Sequence, residues 1–589
     1  MIPVEFYTSD FFICPSRIGC ETCEELWAPD SPHVKMALQG VDIIGNGSGS
    51  HHELRKLNAR LDLVIQATRK CGGVYLYANQ RGCDGGRLYY DGCAMIVCNG
   101  EILAQADQFS LDDVQVISAT VDLDDVRSYR AALPSFGVQA SRLKLDADIN
   151  SSPFLCYSDV FFNGNKRSDL TPVPTVGYSR PKLHTPEEEC CYGPACWLWD
   201  FLRRTNATGF FLPLSGGADS SAVVTIVGAM CVMVTESIQS NSSPSNTVAQ
   251  DLRRICQQSP SWIPGSSQEV AYHIIHTCYM ASSNSSAATA SRAKRLAEQI
   301  GCYHLSIQID PLLRAALKVF HIAVNGAFTP KYASEGGSNT QDVALQNIQA
   351  RMRMVMSYMF AQLLPWTRNK KSFLLVLGAA NVDEGLRGYV TKYDCSSADL
   401  NPIGAISKLD LKNMLLWASD RFKWSVLTDV ANAQPTAELR PISTSNTAGT
   451  LQEHSQSDEE DMGMTYQELS VFGKLRKVAR CGPVSMMRKL LHTWNHLPPL
   501  EISTKIKRFF YYYSSNRHKM CTITPSYHAE NYSPDDNRFD LRPFLYNTSW
   551  TRQFSVMDNM VEQLEDKQRK NELLTANLEV EDELRDKID

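Results

Sequence analysis

Apolar and polar positions change texture several times along the chain. Residues 1–150 carry strand-like apolar runs at Val41–Ile44, Val74–Tyr77 and Met95–Val97. Turn punctuation lies between them at Asn46-Gly47, Cys83-Asp84-Gly85-Gly86 and Asn99-Gly100, which predicts a sheet-rich layer. Residues 150–190 are rich in Ser, Pro, Asn and Asp and read as a linker. Behind Glu187–Glu189, a helix is expected from Pro194, with the proline in its first turn and Cys196, Trp197, Trp199, Phe201 and Leu202 following. Strand and helix signals then alternate, as in a parallel α/β sheet. Two polar stretches, Ser237–Ser267 and Ser443–Glu460, interrupt this pattern and read as surface loops or insertions. From Val561 the chain is dense in charge with scattered Leu, which predicts a solvated helix. The expected organisation is a domain over 1–150, a linker over 151–185, a second domain over 186–555 and a charged tail over 556–589.

Composition narrows the class. The 589 residues allow about four domains at roughly 150 residues each, and two or three are expected because large α/β domains run longer. With 43% hydrophobic and 21% charged residues, a disordered or fibrous chain is excluded. Lys and Arg number 58 against 64 Asp and Glu, a net charge of −6, which offers no general attraction for nucleic acid or an anionic membrane. The longest apolar stretch, Ala222–Val234, falls short of the roughly 18–20 residues that a bilayer requires and reads as a buried helix. The first residues have no basic region and include Glu5, so no signal peptide is expected. Eighteen irregularly spaced cysteines then imply free thiols in a reducing, cytoplasmic compartment.

The strongest local signal for chemistry is Phe210–Ser221, FFLPLSGGADSS, followed by the apolar run. It reads as a buried strand, a glycine turn and a departing helix. Gly216 and Gly217 let backbone N–H groups approach an anion, and the helix N-terminus adds positive potential. Ser215 and Ser220 offer hydroxyl donors. Asp219 would repel phosphate unless a divalent cation intervened, which points to Mg²⁺. No Gly-Lys-Ser/Thr follows, so this is not the common nucleotide P-loop. An ordinary glycine turn with a Ser/Asp cap remains the alternative reading of SGG alone. The motif SGGxDS resembles the pyrophosphatase loop of enzymes that split ATP into AMP and pyrophosphate, which identifies a reaction class without a substrate.

A second block separates the members of that class. The short apolar strand Phe373–Leu377 runs into Gly378-Ala379-Ala380-Asn381-Val382-Asp383-Glu384. Then come Gly388-Tyr389-Val390-Thr391-Lys392-Tyr393-Asp394-Cys395-Ser396-Ser397-Ala398-Asp399, Asn401-Pro402-Ile403-Gly404 and Ser407-Lys408. Glu384 can complete a magnesium shell with Asp219, and Lys392 and Lys408 can balance phosphate charge. These charges sit among Gly, Pro and Ser rather than at helical spacing, which argues against a merely solvated helix face. The block resembles the glutamine-dependent NAD⁺ synthetases of the eukaryotic two-domain type. Similar stretches are Ala344–Arg351, Pro435–Leu439, Asp458–Tyr466 and Lys507–Lys519, and the likeness spans about Gly19 to Trp550.

That resemblance implies roles. Pro213, Leu214, Ser215, Gly216, Gly217, Ala218, Asp219, Ser220, Lys408 and Thr436 would serve ATP, with Ser215 also catalytic and Asp219 and Glu384 on Mg²⁺. Arg351, Lys392, Asp399, His518 and Lys519 would contact deamido-NAD⁺. Ala379 departs from the family, since bacterial single-domain members carry Thr there. The implied reaction adenylates the nicotinate carboxylate of deamido-NAD⁺, then ammonia displaces AMP. A homo-oligomer through the synthetase domain is also implied.

Residues 1–150 resemble the later part of a nitrilase-like domain. Gly19-Cys20-Glu21-Thr22-Cys23-Glu24-Glu25-Leu26-Trp27 matches its nucleophile elbow, with Cys23 on the nucleophile. Asn46–His52, Tyr77–Gln80 and Tyr90–Cys93 continue the match. The family's chemistry uses a Cys–Glu–Lys triad that releases ammonia from glutamine. The family's base glutamate and lysine lie upstream of the elbow and would precede Met1, so either the true start lies upstream or this is a shortened glutaminase, for which free ammonia is the expected donor. Cys20 and Cys23 also form a Cys-x-x-Cys pair, but neither a thioredoxin-like unit nor a second zinc pair accompanies it.

The expected fold class is therefore α/β. A partial nitrilase-like α-β-β-α domain precedes a doubly wound, parallel-sheet ATP-pyrophosphatase domain of the adenine-nucleotide-hydrolase type. The alternatives are another SGGxDS ligase, such as a GMP synthetase, and a catalytically silent subunit that only binds nucleotide or a full-length partner. TKYDCSSAD argues against the first and the intact SGGADS loop against the second.

Overall fold

The computed structural model of the chain describes residues 4–5, 16–143, 175–241, 246–436, 438–441, 457–533 and 544–585. Most of the expected linker and most of the polar stretch Ser443–Glu460 lie outside the described residues. The chain forms two compact units. One comprises Met1–Thr205 with Ala229–Arg254 and Gln258–Ile263, and the other comprises Asn206–Gly228, Ile255–Gln257 and Pro264–Asp589.

The first unit contains strands β1 (Val4–Glu5), β2 (Arg17–Thr22), β3 (Ile43–Ser48), β4 (Val74–Asn79), β5 (Arg81–Cys83), β6 (Tyr89–Asp91), β7 (Met95–Cys98) and β8 (Glu101–Gln105). Six of them form one sheet in the order β1-β2-β3-β4-β7-β8, and β5 pairs with β6 alone. The centre of the sheet is parallel, β2 with β3 and β3 with β4, and its edges are antiparallel. Helix Lys56–Cys71 buries Leu57, Leu61 and Val64 in the same cluster as Tyr75, Tyr77 and Val97 of the sheet. Each such burial stabilises by about 1.5–3 kcal/mol.

Two expectations change here. Asn46-Gly47 is the interior of β3, paired on both sides, not a turn. The strand has neighbours that satisfy its backbone, and the Asn46 side chain works within the unit. The helix expected from Pro194 begins at Pro186, and Pro194 lies inside it. Thr185 caps that helix reciprocally with Glu188, and Pro186 takes the first-turn position where its missing N–H costs nothing. Asn99-Gly100 does turn the chain, between β7 and β8, with both residues at positive φ.

The second unit carries β9 (Phe210–Pro213), β10 (Ile275–Ala281), β11 (Tyr303–Gln308) and β12 (Leu375–Val376) in the order β11-β10-β9-β12. Every pairing is parallel. Strand order therefore reverses at β9, whose two neighbours β10 and β12 are reached by separate crossovers. The carboxyl ends of β9 and β12 flank that switch point, where open α/β sheets bind ligands. Phe211, Cys278, Met354, Leu364 and Val376 form the core beneath the sheet. A second cluster, centred on Phe472, Met487, Phe509 and Phe510, joins helices Tyr466–Gly473, Pro483–Thr493, Pro499–Ser515 and the start of Thr551–Arg585.

The apolar run Ala222–Val234 belongs to the longer helix Ala218–Ser240. Among the described residues it alone is long and apolar enough to cross a membrane, but 78% of its most apolar window is buried in the protein.

Candidate active site

The site is built on the loop after β9. Pro213 ends the strand, and the helix begins at Ala218. Gly216 has φ +79°, and a Cβ there would lie 2.2 Å from the Thr289 carbonyl oxygen. A Cβ on Gly217 would meet only Ser215 Oγ, at 3.5 Å. The two glycines thus have different duties. Gly216 lets the loop close onto helix Ala287–Ile300, and Gly217 faces the cavity. The Ser220 hydroxyl accepts from the Ser215 N–H at 3.2 Å and lies 2.9 Å from Ser215 Oγ.

The loop after β12 supplies the opposite wall. Asn381 caps helix Val382–Arg387, accepting from the Asp383 and Glu384 N–H groups at 3.0 Å each. Its amide donates to Asp219 Oδ1 at 3.0 Å, so the cap of one wall orients the carboxylate of the other. Lys408, at the first turn of helix Lys408–Phe422, donates to Asp219 Oδ2 and lies 3.6 Å from Glu384 Oε1. Tyr466 donates to Glu384 at 2.9 Å and lies 3.4 Å from Asp458 Oδ2.

Two carboxylates, Asp219 and Glu384, therefore flank one ammonium, and Asp458 joins the cluster through Tyr466. Burial, with Asp219 close by, pushes Glu384 well above the usual carboxylate range. Burial likewise raises Asp458 to about 6. For Lys408, burial works in the other direction, but Asp219, Glu384 and Asp458 outweigh it and hold the lysine above its ordinary value. Such a site has hard oxygen donors and too little positive charge, which suits a hard divalent cation.

These groups line a cavity of about 800 Å³ that also reaches Pro213, Leu214, Ala218 and Thr436. Its far end is basic. Arg351 donates through Nε to the Lys392 carbonyl at 2.9 Å, and Lys519 donates to the Gly388 carbonyl at 2.7 Å. Lys392 and His518 line the same cavity. Gly216 and Asp399 do not. Asp399 accepts instead from Tyr358 at 3.0 Å and from the Val376 N–H at 2.8 Å, beside β12.

Cys23 belongs to the first unit. It starts the short 3-10 helix Cys23–Trp27 directly after β2, with φ +46°. A non-glycine residue in that region is strained, as at the sharp strand-to-helix turns that present nucleophiles. Its N–H donates to Asn46 Oδ1 at 3.0 Å, and Asn46 Nδ2 donates to the Tyr75 hydroxyl at 2.9 Å. Tyr75 donates in turn to Glu21, which also accepts from the His33 N–H at 2.9 Å.

Comparison with known proteins settles the family. Residues 194–480 match the NAD synthase family, and residues 4–131 match the carbon-nitrogen hydrolase family. A glutamine-dependent NAD(+) synthetase of Saccharomyces cerevisiae is 55% identical over 554 residues, covering 93% of this chain and 74% of the relative. The chain belongs to the glutamine-dependent NAD(+) synthetase family. The Homo sapiens relative of that name is 53% identical over 558 residues, with 93% and 74% covered. A solved glutamine-dependent NAD(+) synthetase from Cytophaga hutchinsonii matches with a TM-score of 0.66 at 22% identity, covering 93% of this chain and 74% of that one. That likeness supports the fold. Membership makes the chain a ligase, with the nitrilase-like segment ahead of its NAD synthase domain.

In this cleft, several residues were not foreseen as individuals. Asp458 and Tyr466 sit in the Asp458–Tyr466 stretch, which carried a family likeness but no assigned role. Asn381 was invisible because its signal, a cap before Val382, is shared by most helices.

Proposed function

We propose that the chain performs ATP-dependent amidation of deamido-NAD⁺ to NAD⁺, releasing AMP and pyrophosphate, with Mg²⁺ held by Asp219 and Glu384. The observation that carries this reading is the convergence of the Leu214–Ser220 loop with Glu384 and Lys408 across the switch point of the sheet. The triphosphate would lie over Ser215, Gly217 and the N-terminus of helix Ala218–Ser240. Deamido-NAD⁺ would enter from the basic end, at Arg351, Lys392, His518 and Lys519, with Thr436 and Lys408 on the ATP side.

In the first step a nicotinate carboxylate oxygen forms a bond to the α-phosphorus, and the bond to pyrophosphate breaks. In the second step ammonia attacks the activated carbonyl and AMP leaves. A carboxylate and a triphosphate repel each other, so the cleft must neutralise both before they meet. Bound Mg²⁺ supplies positive charge on the phosphate oxygens. The chain contributes Lys408, fixed by Asp219, and the lysines and arginine at the basic end. Ammonia would come from glutamine through a Cys23 thioester in the nitrilase-like segment, or from solution.

The test is to supply the purified chain with ATP, Mg²⁺, ammonium and deamido-NAD⁺ and to follow AMP, pyrophosphate and NAD⁺. Equimolar formation of all three is expected, dependent on deamido-NAD⁺. AMP release indifferent to that substrate would reject the assignment.

We also propose self-association through the synthetase part. Val355, Met359, Leu363 and Trp366 recur at helical spacing on helix Asn339–Thr367 and are 59%, 42%, 49% and 73% exposed. Val319 and Ile322, on the neighbouring helix Asp310–Ala323, are also exposed. Apolar stripes of this kind mark association surfaces. Trp366→Glu should lower the mass measured by light scattering, and an unchanged mass would exclude this face.

A further inference from the structure

We propose that Arg292 is a further catalytic residue, whose guanidinium binds the pyrophosphate that leaves when ATP is split. The inference rests on the nucleotide reading above.

Arg292 lies on helix Ala287–Ile300, one turn beyond Thr289, the residue whose carbonyl Gly216 packs against. The helix start is fixed by Ser286, whose hydroxyl accepts from the Thr289 N–H at 3.2 Å. Arg292 Nε donates to the Gly216 carbonyl at 3.2 Å, so the side chain is tied to the phosphate loop itself. The guanidinium lines the cavity with Ser215 and Gly217. Among the described residues its two terminal amino groups have neither a hydrogen-bond acceptor nor a carboxylate within ion-pair distance.

Arg351 in the same cavity is held in the same way, through Nε on a carbonyl, whereas several arginines outside it are paired with carboxylates. Arg60 is paired with Asp91, Arg203 with Asp200 and Arg440 with Asp342. A guanidinium offers five N–H donors in a planar fork that matches phosphate oxygens, and it stays protonated. With one donor anchored to the loop and the residue lining the cavity, Arg292 is placed to meet an anion there. Its tether chooses which anion. Arg351, Lys392, His518 and Lys519, the groups placed for deamido-NAD⁺, come from other segments of the chain. Arg292 is held by the loop that would carry the triphosphate.

The chemistry asks for such a group. As the carboxylate oxygen bonds to the α-phosphorus, the bond between α-phosphorus and the bridging oxygen breaks. Its electron pair stays on pyrophosphate, which gains negative charge. A fixed cation that binds the leaving group more strongly as this charge develops lowers the barrier.

The experiment uses the full chain with ammonium as nitrogen donor and inorganic pyrophosphate as probe. Arg292→Gln keeps an N–H that can reach Gly216 and removes the charge, and Arg292→Lys keeps the charge and removes the fork. In Arg292→Gln the KM for ATP and the inhibition constant for pyrophosphate should each weaken by about tenfold to a hundredfold, as for a lost charged contact. The KM for deamido-NAD⁺ should stay within about twofold. Arg292→Lys should fall between wild type and Arg292→Gln. An unchanged pyrophosphate constant in both variants, or an equal rise in the KM for deamido-NAD⁺, would overturn the role. Loss of folding in both variants would also overturn it, by making Arg292 a structural residue. Failure of the wild-type chain to form AMP would instead reject the nucleotide reading itself.

Discussion

Glu21 in the first unit and Glu384 in the second are both carboxylates withdrawn from solvent, yet their surroundings treat them in opposite ways. For Glu21, burial alone would favour the neutral acid, but hydrogen bonds from His33 and Tyr75 more than offset it and leave its pKa below the ordinary value. For Glu384, burial and the neighbouring Asp219 win over Lys408 and Tyr466, and the group is pushed upward. The lesson is about what burial is for. A carboxylate whose lone pairs are filled by the protein is part of the scaffold, here the chain of bonds that ends at the Cys23 N–H. A cluster with more carboxylates than cations, like that around Lys408, is one that the positive charge of the proposed Mg²⁺ would complete.

Removing the central carboxylate of the incomplete cluster should have the largest effect. Asp219→Asn should reduce NAD⁺ formation to background with either nitrogen donor, because the proposed cation site and the anchor of Lys408 would be lost together. Near-normal turnover with saturating ammonium would show that the second unit's cluster is as structural as Glu21. Cys23→Ala should split the two donors. Glutamine-driven synthesis should vanish while the ammonium-driven rate is kept. A glutamine-driven rate that survives the substitution would place the nucleophile elsewhere.

Smaller changes sharpen the comparison within each unit. Lys392→Ala should raise the KM for deamido-NAD⁺ by about tenfold to a hundredfold, the effect of losing a contact worth about 1.5–3 kcal/mol, with less change for ATP. Equal changes for both substrates would mean that the basic end of the cavity does not select between them. Tyr75→Phe should leave ammonium-driven synthesis intact and destabilise the first unit by about 1–3 kcal/mol, since a buried carboxylate loses one of its donors. Urea unfolding of the variant against wild type measures this directly. An unchanged midpoint would show that Glu21 is satisfied without Tyr75.

Much of this was legible in the linear chain because the signals are local. Phe210–Ser221 reads as strand, turn and helix from its own order of apolar, glycine and capping residues, and the structure has those elements in that order. Val74–Tyr77 and Met95–Val97 are strands because their side chains suit a buried sheet wherever they are placed. Cys23 was visible through the motif around it. Local signals misled where neighbours in space decide. Asn46-Gly47 has the composition of a turn, but β2 and β4 on either side take up its hydrogen bonds and make it strand. Pro194 resembles a helix start, but the stronger cap at Thr185 begins the helix eight residues sooner.

The strand–turn–helix order around SGGADS, the motif around Cys23 and the family likeness were legible in sequence alone, since each depends on residues adjacent in the chain. Which charges meet was decided by tertiary structure. Asp219, Glu384, Lys408 and Asp458 are far apart in the chain and share one cluster only because the sheet reverses its strand order at β9. The same folding set Asp399 beside β12, where it accepts from Tyr358 and the Val376 N–H, and packed Gly216 against Thr289. It also laid Arg292 against the phosphate loop with most of its donors unspent. Electrostatic energies depend on distance through space and on burial, and neither is written in the spacing of residues along a chain.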